Sequence, residues 1–211
     1  RVVVSTKTRN LQDQILEKEI PLIRQHIAPN LEALCVKGRQ NYLCLHRFRQ
    51  LQAAATAEVD AGRIDTLGRW IETTVHADRS ELPWLTSSSP LWQKICCQSH
   101  FCLGASCPEA TGCFLNRLRR DAAASQLLIV NHHLFFSDLA VRRTGYGEVL
   151  PRYSTVIFDE AHHIENVATT FFGFTLSRFQ VQDLVGDTER SADDDLAAGD
   201  RQPVVAATVR L

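Results

Sequence analysis

The sequence has no methionine, not even at its first position, and none of its ten glycines opens a G-x4-G-K-[ST] phosphate loop. Without that loop this chain cannot by itself cradle nucleotide phosphates in the P-loop manner. Its first residues, RVVVS, begin inside an apolar strand pattern. Both features lead to the expectation of a piece cut from a longer protein, inactive as an ATPase when isolated. No run of about 18 apolar residues exists, so a membrane-spanning helix is not expected. The N-terminus lacks the apolar core and small-residue cleavage site of a secretory leader. Net charge is only −1, which names no partner. Cysteines number seven, an odd count that disfavours a fully paired secreted scaffold and points to a reducing, cytoplasmic setting.

Five of those cysteines fall in CCQSHFCLGASCPEATGC, residues 96–113. A disulfide knot, a zinc site and an iron–sulfur cluster are the alternatives. Structural zinc favours C-x2–4-C pairs that place two thiolates on one tetrahedral ion. The spacings after Cys102 are C-x4-C-x5-C, which are loose for zinc without being forbidden. A cubane cluster wraps a bulkier core and tolerates them. Adjacent Cys96 and Cys97 point apart along any regular backbone and are read, with Cys35, as small apolar packing residues.

Two short apolar runs, LLIVNHH (127–133) and TVIFDEAHH (155–163), read as buried parallel strands delivering polar groups at their C-terminal ends. Open α/β sheets bind ligands at that edge. With Arg1–Ser5 as a third such strand, the expected fold class is α/β, with a mainly helical, cysteine-bearing insertion between strand–helix units. Helices are expected from Leu11 until Pro21 breaks the pattern, from Leu45 to about Trp70, and over 114–126. ELPWLTSSSP (81–90) reads as a loop. ERSADDD (189–195) reads as an acidic solvated loop, and VVAATVRL (204–211) as the start of a further element. Residues 35–120 hold 11 Lys or Arg against seven Asp or Glu. From charge alone a solvated helix face explains this better than a phosphate-binding surface.

VIFDEAHH is the sharpest motif. A strand that fixes Asp159 and Glu160 at a sheet's rim supplies what nucleotide hydrolysis requires, one carboxylate for Mg²⁺ and one to accept a proton from the attacking water. A bare Asp-Glu would more simply be a helix cap meeting the helix dipole. His162–His163 does not complete H-E-x-x-H, so a metalloprotease is not indicated.

Four segments together, RVVVSTKTRNLQDQI, VKGRQNYLC, LLIVNHHLFFSDLA and VIFDEAHHIENVA, resemble the DinG/XPD family of superfamily 2 iron–sulfur DNA helicases, nearer its bacterial DinG/YoaA branch. The resemblance covers nearly all of residues 1–174 and implies a partial RecA-like sheet carrying an inserted iron–sulfur domain. It implies 1–34 and 116–174 as parts of the first motor domain, 35–115 as the cluster insertion, and 175–211 as the beginning of an arch, ill-packed or disordered around 186–203. It implies Cys44, Cys102, Cys107 and Cys113 as [4Fe–4S] ligands. In the DEAH motif it implies Asp159 as the Mg²⁺ holder, Glu160 as the water-activating carboxylate and His162 as the link between nucleotide and DNA. Lys7, Thr8, Arg9 and Arg39 would face the DNA backbone. ATP, single-stranded and forked DNA are the implied partners of a monomeric 5′→3′ helicase in repair or replication. A non-enzymatic zinc- or cluster-bearing DNA-binding module is the alternative. Asn131 and His132 match a family strand end for which the sequence offers no mechanism.

Overall fold

The computed structural model describes residues 1–54, 61–145, 147–173 and 177–195. Among them four strands form one parallel sheet in the order β2-β3-β1-β4: β1 Val2–Thr6, β2 Ala33–Cys35, β3 Leu127–Asn131 and β4 Thr155–Phe158. The register pairs Val4 with both Ile129 and Ile157, so β1, β3 and β4 end almost level. Val3, Leu128, Ile129 and Val130 are fully buried. This continuous apolar character is what a parallel sheet covered on its faces requires. The α/β class and the strands foreseen at 1–5, 127–131 and 155–158 are all present, consistent with a partial RecA-like sheet, but β4, expected to be buried, is an edge strand with Ile157 52% exposed.

The first helix corrects the reading of Pro21. α1 (Arg9–Gln14) passes through a π-helical turn (Ile15–Glu19) into α2 (Ile20–His26), with Pro21 in the first turn of α2. Within that turn the Ile20 N–H bonds the Ile15 carbonyl, an i→i−5 register. Proline lacks an N–H to donate, and the widened ladder just before it accommodates this where an unbroken α-helix would kink.

Between β2 and β3 lies the helical insertion: α3 (Leu45–Ala54), α4 (Ala61–Thr73), α5 (Pro90–Ile95) and α6 (Phe114–Ala124). It owns a core: Phe48, Leu67, Leu85, Trp92, Ile95 and Phe114 are buried together. The Trp92 indole N–H donates to the Gln40 carbonyl at 2.9 Å. Deleting that ring would cost about 3–5 kcal/mol. The described residues of the helix expected from Leu45 to about Trp70 are helical, as α3 and α4, and 55–60 lie outside the described residues.

A buried charge joins the insertion to the sheet's helices. The Lys37 ammonium is 5% exposed and bridges Asp13 of α1 at 2.9 Å and Asp78 of the insertion at 3.0 Å. It also donates to Ser80 Oγ at 3.1 Å.

After β3, α7 (His132–Thr144) packs Phe135 edge-on against Phe158 of β4, ring centres 5.1 Å apart. α8 (Ile164–Phe172) follows the turn after β4. The chain divides into two compact units, Arg1–Val167 and Ala168–Leu211. In the second, α9 runs Arg178–Asp195. This corrects the loop expected at 189–195 and, as far as Asp195, the disorder expected around 186–203. Between Asp187 and Asp195 there is no glycine or proline, and Glu189, Arg190 and Ala192 are good helix formers. The segment 204–211, and 196–203 before it, lie outside the described residues. No helix among the described residues is long and apolar enough to cross a membrane.

Candidate functional site

Two constellations stand out, both within the first unit. One is at the C-terminal edge of the sheet. β4 delivers Asp159, whose N–H donates to the Ser5 carbonyl at 2.9 Å, locking the strand end to β1. Glu160 then takes a left-handed conformation, φ 52° and ψ 43°. A non-glycine residue there carries local strain of about 1–3 kcal/mol, which the surroundings must overcome. The reversal starts a short 3₁₀ turn, Ala161–His163, and turns the exposed Glu160 side chain back toward it. Glu160 Oε2 lies 3.4 Å from His162 Nε2. The rings of His162 and His163 are 3.9 Å apart.

The Lys7 ammonium donates to His163 Nε2 at 2.8 Å, tying the end of β1 to this turn. Desolvation, then the neighbouring His162 and Lys7, hold the His163 imidazole below its ordinary pKa. It is therefore neutral near pH 7 and free to accept that proton. Ligand atoms of Glu160, His162 and His163 lie within 4.8 Å of one another. Lys7 already occupies His163 Nε2, and its positive charge disfavours a second cation there.

Lys7, Thr8 and Arg9 have distinct roles. The Thr8 hydroxyl caps α1 by accepting from Leu11 N–H at 3.2 Å. The Arg9 guanidinium donates to Asn41 Oδ1 at 2.9 Å, reaching the turn Arg39–Asn41. Arg39 itself lines a groove of about 670 Å³ together with Asn41, Leu118, Arg119 and Leu150. The structure thus brings the start of α1, the 39–41 turn and the Asp-Glu-Ala-His turn into one connected region.

The second constellation is the thiols. Cys44 immediately precedes α3, and Cys113 is the N-cap of α6. Both sulfurs therefore sit where helix N–H groups and the dipole favour negative charge. The Cys44 thiol is pulled down to about 6, first by a hydrogen bond from the Cys97 thiol, then by the Arg47 and His46 amides against opposing burial. The same contact and burial push the Cys97 thiol far up. Cys97 is held there by its N–H on the Tyr42 carbonyl and by the Leu43–Cys96 bridge. Cys96 is fully buried in the insertion core, as its packing assignment required. Cys97 is buried as well, yet its sulfur belongs to the neighbourhood of Cys44, Cys102 and Cys113. Nothing in the sequence announced that contact.

Cys102 is exposed, and Cys107 is half-buried in the loop of short 3₁₀ turns between them. Arg47 braces this loop, donating to the Cys96 carbonyl at 2.7 Å and lying 4.7 Å over the Phe101 ring. Among the described residues no three cysteine sulfurs approach within 4.8 Å of one another. A single tetrahedral zinc at 2.3 Å would hold its sulfurs about 3.8 Å apart. Cys35 stands apart from these: burial pushes its thiol up to about 12, an inert packing residue.

No protein-family profile matches the chain. Individual proteins do. It is 34% identical over 189 residues to the ATP-dependent DNA helicase YoaA of Haemophilus influenzae, covering 89% of this chain and 30% of that protein. It is 30% identical over 190 residues to the ATP-dependent helicase DinG of Mycobacterium tuberculosis, covering 80% of this chain and 28% of the relative. Over 173 residues it is 30% identical to the 3′-5′ exonuclease DinG of Bacillus subtilis, covering 82% of this chain and 18% of the relative. The chain thus spans less than a third of the length of each of these relatives.

Proposed function

The chain belongs to the DinG/YoaA helicase family, and on that premise we propose that it carries the DEAH motif and the iron–sulfur insertion of the first motor domain of an ATP-dependent 5′→3′ DNA helicase. The observation that carries this reading is the connected region at the sheet's C-terminal edge, where Lys7 reaches His163 of the Asp-Glu-Ala-His turn and Arg9 reaches Asn41, three residues before Cys44. The assignment of 1–34 and 116–174 to the motor, 35–115 to the insertion and 175–211 to an arch is part of the proposal.

In this reading Asp159 holds Mg²⁺, which when bound neutralises phosphate charge. Glu160 Oε takes a proton from water as the water oxygen attacks the terminal phosphorus and the bond to the leaving diphosphate breaks. Its carboxylate is exposed and so open to an approaching nucleotide and water. His162, at 3.4 Å from Glu160, couples that carboxylate to the rest of the machine. Lys7, Thr8, Arg9 and Arg39 face the backbone of single-stranded or forked DNA. Such contacts are sequence-independent and weaken with salt. The setting is cytoplasmic, the role repair or replication, and the working unit a monomer.

Cys44, Cys102, Cys107 and Cys113 hold a [4Fe–4S] cluster. The residues fit it. Cys44 and Cys113 stand at the starts of α3 and α6, the loop between the later ones is braced by Arg47, and no three of the sulfurs approach within 4.8 Å of one another. Bound there, such a cluster ties the beginning of the insertion to its end. The insertion's own core around Trp92 keeps α3–α5 folded in its absence. A zinc- or cluster-bearing DNA-binding module without catalysis is the competing reading.

The test replaces cysteines singly in anaerobically purified protein. Cys113→Ser should lose most of its iron and brown absorbance, while Cys96→Ser should keep both. Full iron in Cys113→Ser would remove that residue from the ligand set and overturn this assignment of the four ligands.

A further inference from the structure

The sheet edge contains a buried pair that the proposed hydrolysis leaves unused. Ser5 of β1 and His132 at the start of α7 are both 0% exposed. Ser5 Oγ and His132 Nδ1 are 2.7 Å apart. Ser5 also accepts the Asp159 N–H through its carbonyl at 2.9 Å. One residue of β1 thus holds the imidazole with its side chain and the DEAH strand with its backbone.

The other side of the ring is unusual. His132 Nε2 is buried and has no hydrogen-bond partner. The Asp159 and Glu160 backbones lie close enough to the ring to oppose the burial that lowers its pKa, yet neither carbonyl meets hydrogen-bond geometry with Nε2. An orphaned buried polar atom costs about 1–3 kcal/mol, and in a native protein it requires a reason. The groups in front of it are carbonyl acceptors, so the tautomer that suits the site carries its proton on Nε2. Ser5 Oγ–H then donates to Nδ1. The Phe158 ring, 6.1 Å away, helps confine the imidazole from the β4 side. Directly ahead stands Glu160 in its left-handed conformation.

We propose that His132 is the positioning residue of the DEAH turn: its Nε2–H closes onto the Asp159 or Glu160 carbonyl as the turn engages nucleotide, and Ser5 relays that state to β1. Beyond Ser5 and Thr6 come Lys7, Thr8 and Arg9, which the functional reading puts against DNA. His132 therefore joins the nucleic-acid side of the motor to its hydrolytic carboxylate. This inference rests on that reading for its consequence, and on the Ser5–His132–Asp159 geometry for its placement.

Asparagine and glutamine separate the two ends of the ring. In the full-length protein, His132→Asn keeps a polar atom near Ser5 but cannot reach the turn; His132→Gln reaches it with a donor. His132→Asn should lower the DNA-stimulated kcat for ATP about 10–100-fold, the usual cost of losing an outer-shell orienting partner. KM for ATP and DNA affinity should stay within about threefold. His132→Gln should recover at least about a third of the lost rate. Hydrogen exchange of amides 159–163 should accelerate in His132→Asn and not in His132→Gln.

If His132→Asn does not fold, Ser5→Ala supplies the same comparison, with faster exchange at 159–163 expected. Unchanged kcat and unchanged exchange in the folded variant would overturn the proposal, as would equal impairment by asparagine and glutamine. A wild-type protein without DNA-stimulated ATPase would instead overturn the helicase reading. The exchange experiment would still decide the role of His132 in holding the turn.

Discussion

Replacing Glu160 by glutamine in the full-length protein should reduce ATP hydrolysis about 10²–10⁴-fold while DNA binding stays within about threefold. Glutamine keeps the size and hydrogen-bonding reach of the side chain but cannot accept the proton from water. Loss of a positioned general base is worth rates of that order. The fold should not suffer. Glu160 is exposed, and its left-handed backbone disfavours glutamine no more than glutamate. Thermal denaturation should therefore superimpose on wild type. His162→Ala should be milder, because the imidazole contacts Glu160 at 3.4 Å rather than touching the reacting water. Steady-state ATPase assays with and without single-stranded DNA, alongside a DNA titration at fixed salt, read these outcomes. Wild-type turnover in Glu160→Gln would remove that residue from the chemistry.

Lys37→Met should be the most destabilising of the charge substitutions, by about 3 kcal/mol or more, because it leaves Asp13 and Asp78 without their shared cation. For a chain of this size that corresponds to a drop of roughly 6–12 °C in Tm. Asp13 is partly exposed and will be hydrated, whereas Asp78 is mostly covered and bears the larger share. Adding Asp78→Asn to Lys37→Met should therefore return part of the loss, where two independent defects would add.

The pH dependence follows from the same geometry. Burial pushes the Lys37 ammonium pKa down, but Asp78 and Asp13 outweigh it and raise the pKa above its ordinary value. That stabilisation is complete below the unfolded lysine pKa and is lost as pH rises through the folded one. The Cys35 thiol, raised to about 12 by burial, adds a loss that begins near the ordinary thiol value of 9. Urea midpoints should fall progressively above pH 9. Cys35→Val should reduce the part nearest pH 9, where the raised Cys97 thiol also contributes, and Lys37→Met the part above about pH 10.5, which it shares with the raised Tyr42 phenol. A flat wild-type profile from pH 8 to 11 would contradict this account.

The strands were legible because covered parallel strands are written as short continuous apolar runs, which VVVST and LLIVN are; TVIF reads the same way although β4 lies at the sheet edge with Ile157 exposed. The DEAH turn was legible because its residues are contiguous. Pro21 misled because a proline's cost depends on the hydrogen-bond register before it, and nothing in the sequence around Ile15–Glu19 announces a π-turn. The acidic run 189–195 misled because composition speaks to solvation and not to backbone conformation. The contacts that build the site were invisible for a different reason. Ser5 meets His132 across 127 residues, and Cys97 meets Cys44 across the hairpin-like bridge of Leu43 and Cys96. Only tertiary structure places such partners. The cluster ligands, by contrast, rest on the family resemblance and on thiol positions that suit it.

The most direct test of the account is the metal content of the chain purified without oxygen. It predicts close to four iron and four sulfide per chain, with broad brown absorbance that disappears when Cys113 is replaced by serine. One zinc per chain without iron, or a metal-free protein with its thiols in disulfides, would contradict it.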